Sequence, residues 1–156
     1  MITGDVADDK EFEVGLRYRE GMAPVRQPGD LPGEYLGSGD GTIQGPGLNG
    51  TVRWDLNEHV GREACQMFFA GMVQTDDGAI LSFDTLGFGQ VRDPATAPSR
   101  WEVTAAARFV TDDPRYAWLA ARPVTWLGGF DMETYEHRYR IAVPKSILGT
   151  AEASHL

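Results

Sequence analysis

The chain is poor in the residues from which most reactive centres are built. It has one cysteine, Cys65, and three histidines among 156 residues. A single thiol excludes a disulfide framework within the chain. Its place in an apolar run, with no neighbouring base to activate it, reads as a small buried hydrophobe. His59, His137 and His155 are too scattered for zinc-ligand spacing, so no metal is expected. Basic residues are also scarce: 14 Lys and Arg stand against 23 Asp and Glu, a net charge of −9. Phosphate backbones and anionic bilayer surfaces need the opposite balance, which argues against nucleic acid and membrane partners. No run is long and apolar enough to span a bilayer, and the opening MITGDVADDKEF is acidic and polar, unlike a signal peptide. A cytoplasmic protein is expected. The Gly-x-Ser-x-Gly pattern is missing. The glycine-rich stretch GSGDGTIQGPG (37–47) leads through Pro46 into another strand and not into a helix, so it is no dinucleotide fingerprint and no cofactor is expected.

What is present is strand pattern. Glycine is abundant at 19 residues and falls between apolar runs, as in an all-β protein. The chain is organised around Ala64 to Phe88, two long strands joined by Thr75-Asp76-Asp77-Gly78, where Asp-Gly marks a tight hairpin. Both parities of the first strand are apolar, which predicts a strand covered on both faces: a barrel wall that also meets a helix, a flap or another subunit. Phe12, Val14, Leu16 and Tyr18 alternate with charged residues as a half-buried strand. Residues 21–33 hold three prolines and read as a loop, either a binding loop or a passive connection. The glycines of 35–47 read as bulges or a barrel corner in a short strand. Val52, Trp54 and Leu56 form an amphipathic strand, and Asn57 to Arg62 read as a turn. Trp101, Val103, Ala105, Ala107 and Phe109 share one strand face, although the alanines leave a helix open. Asp113 followed by Pro114 starts a short helix that Pro123 ends. Val124 to Phe130 and Glu133 to Val143 are the last strands. The sum is one domain over residues 1–156 with flexible tails at 1–10 and 145–156. The expected fold is an antiparallel β-barrel of about eight or nine strands with one short helix, lipocalin-like or allene-oxide-cyclase-like.

The final strand carries the candidate chemistry. Tyr135, His137, Tyr139, Ile141 and Val143 share a parity opposite to Glu136, Arg138 and Arg140, so they are expected to face the interior. A histidine between two tyrosines in an apolar lumen has the look of a small-molecule site, with His137 as acid or base and the tyrosines as hydrogen-bond donors. The competing reading is a histidine that satisfies a buried carbonyl. Tyr18, Trp54, Met67, Phe69 and Trp101 are expected to line the cavity or to pack the core. Asp84, the acid within a strongly apolar strand, either lies on the outer face or pairs inside and orients His137.

GTIQGPGLNG (41–50), TDDGAI (75–80), FVTDDPRYAWL (109–119) and the Tyr-rich last strand together resemble a bacterial family, the domain of unknown function numbered 3237, also called uncharacterised protein family 0311. The resemblance covers about residues 12–143. It implies a small antiparallel barrel, often a dimer or larger assembly, and no established reaction. Members carry Gly-Gly-x-Asp-Trp before the central hairpin, where this chain has Thr51-Val52-Arg53-Trp54. They carry Asp-x-Arg-Tyr in the first hairpin strand, where this chain has apolar residues near Phe68, Ala70 and Gly71. If those polar residues line the family's pocket, the change implies a more apolar lumen and a more apolar, aromatic or polyketide-like ligand.

The first functional expectation is therefore a cofactor-independent isomerase, cyclase or lyase acting on a small hydrophobic molecule by acid/base catalysis in the lumen. It would assign catalysis to His137, Tyr139, Tyr135 and Asp84, in a homodimer. The alternatives are a non-catalytic carrier of an apolar metabolite, or an assembly partner whose barrel is filled with side chains.

Overall fold

The computed structural model describes residues 10–19, 25–26, 33–92 and 100–144. Nine strands form one antiparallel sheet: β1 Lys10–Tyr18, β2 Val25–Arg26, β3 Gly33–Gly45, β4 Leu48–Val60, β5 Ala64–Thr75, β6 Ile80–Val91, β7 Arg100–Val110, β8 Val124–Asp131 and β9 Glu136–Val143. Each long strand pairs with its sequence neighbours, except that β1 pairs with β9 on one side and β3 on the other. That last pairing closes eight strands into a barrel, with the two-residue β2 added along β3. Closure leaves no free edge among the eight. The expected tails, 1–10 and 145–156, lie outside the described residues apart from Lys10, which opens β1. Most of the loop expected over 21–33 also lies outside them, and Val25–Arg26 within it is strand.

Side chains alternate in and out along every wall. Phe12, Val14 and Leu16 of β1, Val52, Trp54 and Leu56 of β4, and Val103, Ala105 and Phe109 of β7 are all buried. The helix alternative for the alanine run of β7 is thereby removed: Ala106 is exposed between two buried alanines, a period of two.

Three expectations change. First, β3 is a continuous strand of 13 residues, not a short one broken by corners. Its inward positions are Gly37, Gly39, Gly41, Ile43 and Gly45, and the missing side chains leave the space that the rings of Tyr18, Trp54 and Phe12 occupy. A Cβ on Gly39 would stand 1.9 Å from the Arg17 carbonyl oxygen and 2.7 Å from the Trp54 ring. These glycines permit the close approach of β1 and β3 on which closure depends. Second, β4 does not turn at Asn57 but runs to Val60, because backbone pairing to β3 and β5 continues past the polar residues. Third, the outer parity of the central hairpin is not covered by any described part of the chain: Phe68, Met72, Ile80, Leu86 and Phe88 are all exposed.

One end of the barrel is stoppered. A 3-10 turn at Pro114–Tyr116, capped by the Asp113 carboxylate, runs into α1 Ala117–Ala120. Leu119 is fully buried, and Trp118 stacks on Phe12 with ring centroids 6.0 Å apart. The Tyr116 hydroxyl donates to Asp77 at 2.8 Å, and Arg115 Nη1 donates to the Asp77 carbonyl at 3.1 Å. The plug is thus tied to the β5–β6 turn, where Gly78 has φ +93°.

Candidate functional site

At the opposite end, the ends of β1, β4 and β8 and the starts of β3, β5, β7 and β9 bring a histidine, four tyrosines, an acid and a thiol together. His137 is fully buried on the inward face of β9. Its Nε2 lies 3.0 Å from the Tyr18 hydroxyl and its Nδ1 lies 3.0 Å from the Tyr139 hydroxyl. The Tyr139 hydroxyl also reaches Met67 Sδ at 3.8 Å. A neutral imidazole has one donor and one acceptor nitrogen, so the chain can run in two directions. In one, Tyr139 donates to Met67, accepts from Nδ1–H, and Tyr18 donates to Nε2. In the other, Tyr139 donates to Nδ1, Nε2–H donates to Tyr18, and the Tyr18 hydrogen is free to meet a ligand.

Rings surround the imidazole. Phe130 stacks on it at 4.4 Å, while Phe69 and Trp54 meet it edge-on at 5.0 and 5.8 Å. With so little polar surface nearby, burial pushes the imidazole pKa down to about 3 and keeps it neutral. Burial also raises the Tyr139 and Tyr18 hydroxyls, with the Glu58 charge adding to both.

Glu58 escaped the sequence reading. Continuation of β4 past Asn57 places it on the inward parity with Trp54, Leu56 and Val60, opposite Tyr35 of β3 and Met67 of β5. Burial raises its carboxyl to about 7, against a smaller opposing effect of a hydrogen bond from the Cys65 thiol. Burial and the adjacent carboxylate push that thiol up to about 12, so it stays protonated and acts as a donor. The missed signal was an acid two residues beyond an apolar alternation. Trp126 was missed as well. It is almost completely buried, packs on Tyr139 at 5.5 Å, and its Nε1 has no partner among the described residues.

The residues expected at the site divide by depth. Tyr18, partly exposed, and Trp101 stand near the mouth. Trp54, Phe69 and Met67 lie beneath them and are buried. Rings in mutual contact continue inward through Phe69–Tyr139, Tyr139–Trp126, Trp126–Phe83 and Phe83–Phe109 at 5.4–6.0 Å. That packing moves the candidate site from the middle of the barrel to its mouth. Tyr135 is not in the last strand: it closes the β8–β9 turn with φ +58° and is half exposed, yet its ring reaches Tyr18 at 6.4 Å and Phe130 at 5.8 Å, so it stands on the rim. Asp84 points outward and pairs with Arg108 at 2.8 Å across β6 and β7, so it does not orient His137. Phe68 and Ala70 also point outward, which removes the argument for a more apolar lumen that rested on them. His59 is an exposed residue within β4, and His155 lies outside the described residues. Among the described residues no group of three or more His, Cys, Asp or Glu side chains is placed to hold a metal ion, and no helix is long and apolar enough to cross a membrane.

The fold and this arrangement define a small closed antiparallel barrel, plugged at one end and lined at the other by aromatic rings around a hydroxyl–imidazole–hydroxyl chain. Residues 34–141 match the model of the protein family of unknown function DUF3237, and the chain belongs to that family. A protein of unknown function from Clostridium acetobutylicum shares the fold at 16% identity, with a TM-score of 0.73 over 87% of this chain and 97% of that one. A β-barrel-like protein from Acinetobacter baumannii does so at 15% identity and a TM-score of 0.73, over 87% and 94%. An enzyme from Penicillium herquei is similar at 18% identity and a TM-score of 0.63, over 87% and 93%. No curated protein matches the sequence.

Proposed function

We propose that the mouth of the barrel binds a small, flat, hydrophobic molecule bearing an oxygen, and moves a proton on it without a cofactor, as an isomerase, cyclase or lyase. The observation that carries this reading is His137 held between the hydroxyls of Tyr18 and Tyr139, at 3.0 Å each, inside a cage of rings. A histidine kept only to satisfy a buried carbonyl would not need two phenols. The rings of Tyr18, Trp101, Phe130 and Tyr135 offer faces to a planar ligand, and the Tyr18 hydroxyl offers its oxygen a donor. The similar barrel from Penicillium herquei is an enzyme, which is compatible with chemistry on this scaffold.

The direct test is native mass spectrometry of the purified protein, then extraction under denaturing conditions. A co-purifying aromatic compound is the expected result. Tyr18→Phe should then weaken binding of that compound roughly tenfold by calorimetry, the worth of one hydrogen bond at a half-buried site. Unchanged affinity would remove Tyr18 from the site.

We also propose that a second copy of the chain covers the outer face of the central hairpin. The exposed apolar residues there lie on adjacent strands, and the charges among them, Asp84 and Arg108, already neutralise each other. An acidic chain meets its copy with least repulsion at such a patch. Sedimentation should give a dimer, and Phe68→Glu should convert it to a folded monomer. A wild-type monomer at tens of micromolar would discard the interface.

A further inference from the structure

The carboxyl group of Glu58 has no evident structural purpose. It is largely withdrawn from water, and among the described residues no Lys or Arg forms an ion pair with it. On the inward face of β4 its cross-strand partners are Tyr35 of β3 and Met67 of β5, the Cys65 thiol donates to it, and its charge reaches the hydroxyls of Tyr18 and Tyr139, both raised by burial and so protonated. A glutamine would fill the same place without the cost of desolvating a charge. Buried acids without a cationic partner are concentrated at sites that exchange protons.

We propose that Glu58 is the proton-transferring group of this mouth, and that its substrate is an uncharged ring-bearing ketone with a hydrogen on the carbon beside the carbonyl. The inference rests on the binding reading above and assigns its chemistry. Glu58 as carboxylate takes the proton from that carbon. The C–H electron pair becomes a carbon–carbon double bond, and the carbonyl π pair moves to the oxygen, which the Tyr18 hydroxyl holds by donating to it. Where that carbon also bears a carbon–carbon double bond, the charge spreads along a dienolate, and return of the same proton from Glu58–COOH to its far carbon completes an isomerisation, with atoms and electrons balanced and no oxidant or co-reactant. His137 is then a positioning residue. Burial makes it too weak a base to compete, and in its Nε2–H form it accepts from Tyr139, donates to Tyr18 and so aims the Tyr18 hydrogen at the substrate oxygen. Cys65 steadies the carboxylate from the other side.

The chemistry also selects the substrate. A carboxylate ligand would set a second negative charge beside Glu58 in a site without a paired cation, so neutral ketones are favoured over acids.

The experiment uses the full chain and β-tetralone, an aromatic ketone with acidic hydrogens beside its carbonyl, in deuterated buffer. Binding is followed by saturation-transfer NMR and exchange by loss of the carbon-bound proton signal. The wild type should bind β-tetralone and speed exchange, with a rate that rises with pH through a midpoint near 7, where Glu58 loses its proton. Glu58→Gln should keep binding and lower the exchange rate by about 100-fold with a flat pH profile, while Glu58→Asp should restore part of the rate. Circular dichroism of both variants checks the fold, and the aspartate variant carries the test if the glutamine variant unfolds. Binding kept, with exchange equal in Glu58→Gln and wild type, overturns the role of Glu58 and leaves the binding site standing. Absence of β-tetralone binding by the wild type overturns the aromatic site and the ketone proposal together.

Discussion

Replacing Gly39 with alanine is expected to cost about 3 kcal/mol, a large effect for one added methyl group. The Cβ would fall 1.9 Å from the Arg17 carbonyl oxygen, where only movement of backbone can make room, and the ring of Trp54 blocks the other side at 2.7 Å. The two strands that must part are β1 and β3, whose pairing from Glu13–Gln44 to Tyr18–Gly39 closes the barrel. Tyr18 and Trp54 would move with them, so the site would loosen along with the fold. Gly15→Ala is the matched control: it lies on the same seam, but a Cβ there meets nothing within 4 Å, and its effect should stay within about 0.5 kcal/mol. Urea denaturation followed by tryptophan fluorescence measures both. Equal midpoints for the two variants would show that the seam adapts freely and that the glycine stripe is not what allows closure.

The second large effect is acid sensitivity. His137 has a folded pKa of about 3 against an ordinary 6.5, so between those values the unfolded chain binds a proton that the folded chain refuses. The sign follows: stability falls as pH drops below 6.5, by up to about 1.4 kcal/mol per pH unit. Glu58 acts in the opposite direction. Its folded pKa near 7 lies above its ordinary 4.5, so the folded chain holds the extra proton, and stability declines as pH rises through that window. The two slopes oppose each other between 4.5 and 6.5, so the raw profile of the wild type hides them. Subtraction separates them. His137→Gln keeps one donor and one acceptor for the two tyrosines but does not titrate. Its stability relative to wild type should improve steadily from pH 6.5 downwards. Parallel profiles for the two proteins would mean that the imidazole accepts a proton in place.

Much of the barrel was legible because each wall has one face toward the interior and one toward water. Phe12-x-Val14-x-Leu16 and His137-x-Tyr139-x-Ile141 state that directly, and Asp113-Pro114 announces the helix start. The errors arose where tertiary pairing overrides local pattern. At Asn57-Glu58-His59 three polar residues look like a turn, but two neighbouring strands pair with their backbones and carry β4 onward, turning Glu58 inward. In β3 the glycines resemble punctuation, because a sequence does not reveal which large ring will occupy the space that a missing side chain leaves. Phe68 and Ala70 are apolar, yet parity places them outside. Tyr135 continued the alternation of β9 on paper, whereas its left-handed backbone makes it the last residue of a turn. The inward histidine and Tyr139 were within reach of pattern reading, but the second phenol against the imidazole is Tyr18 from β1 and not Tyr135. The acid that completes the group was not within that reach.

The plug formed by Tyr116, Trp118 and Leu119 has a kinetic consequence. With that end stoppered and the interior packed with rings, the barrel is a blind vessel: whatever enters by the mouth must leave by the same door. Under the proposed reaction, product and reactant compete for one threshold, and product should act as a competitive inhibitor. A second reactant would have to wait behind the first, so a vessel of this shape suits rearrangement within one molecule better than the joining of two.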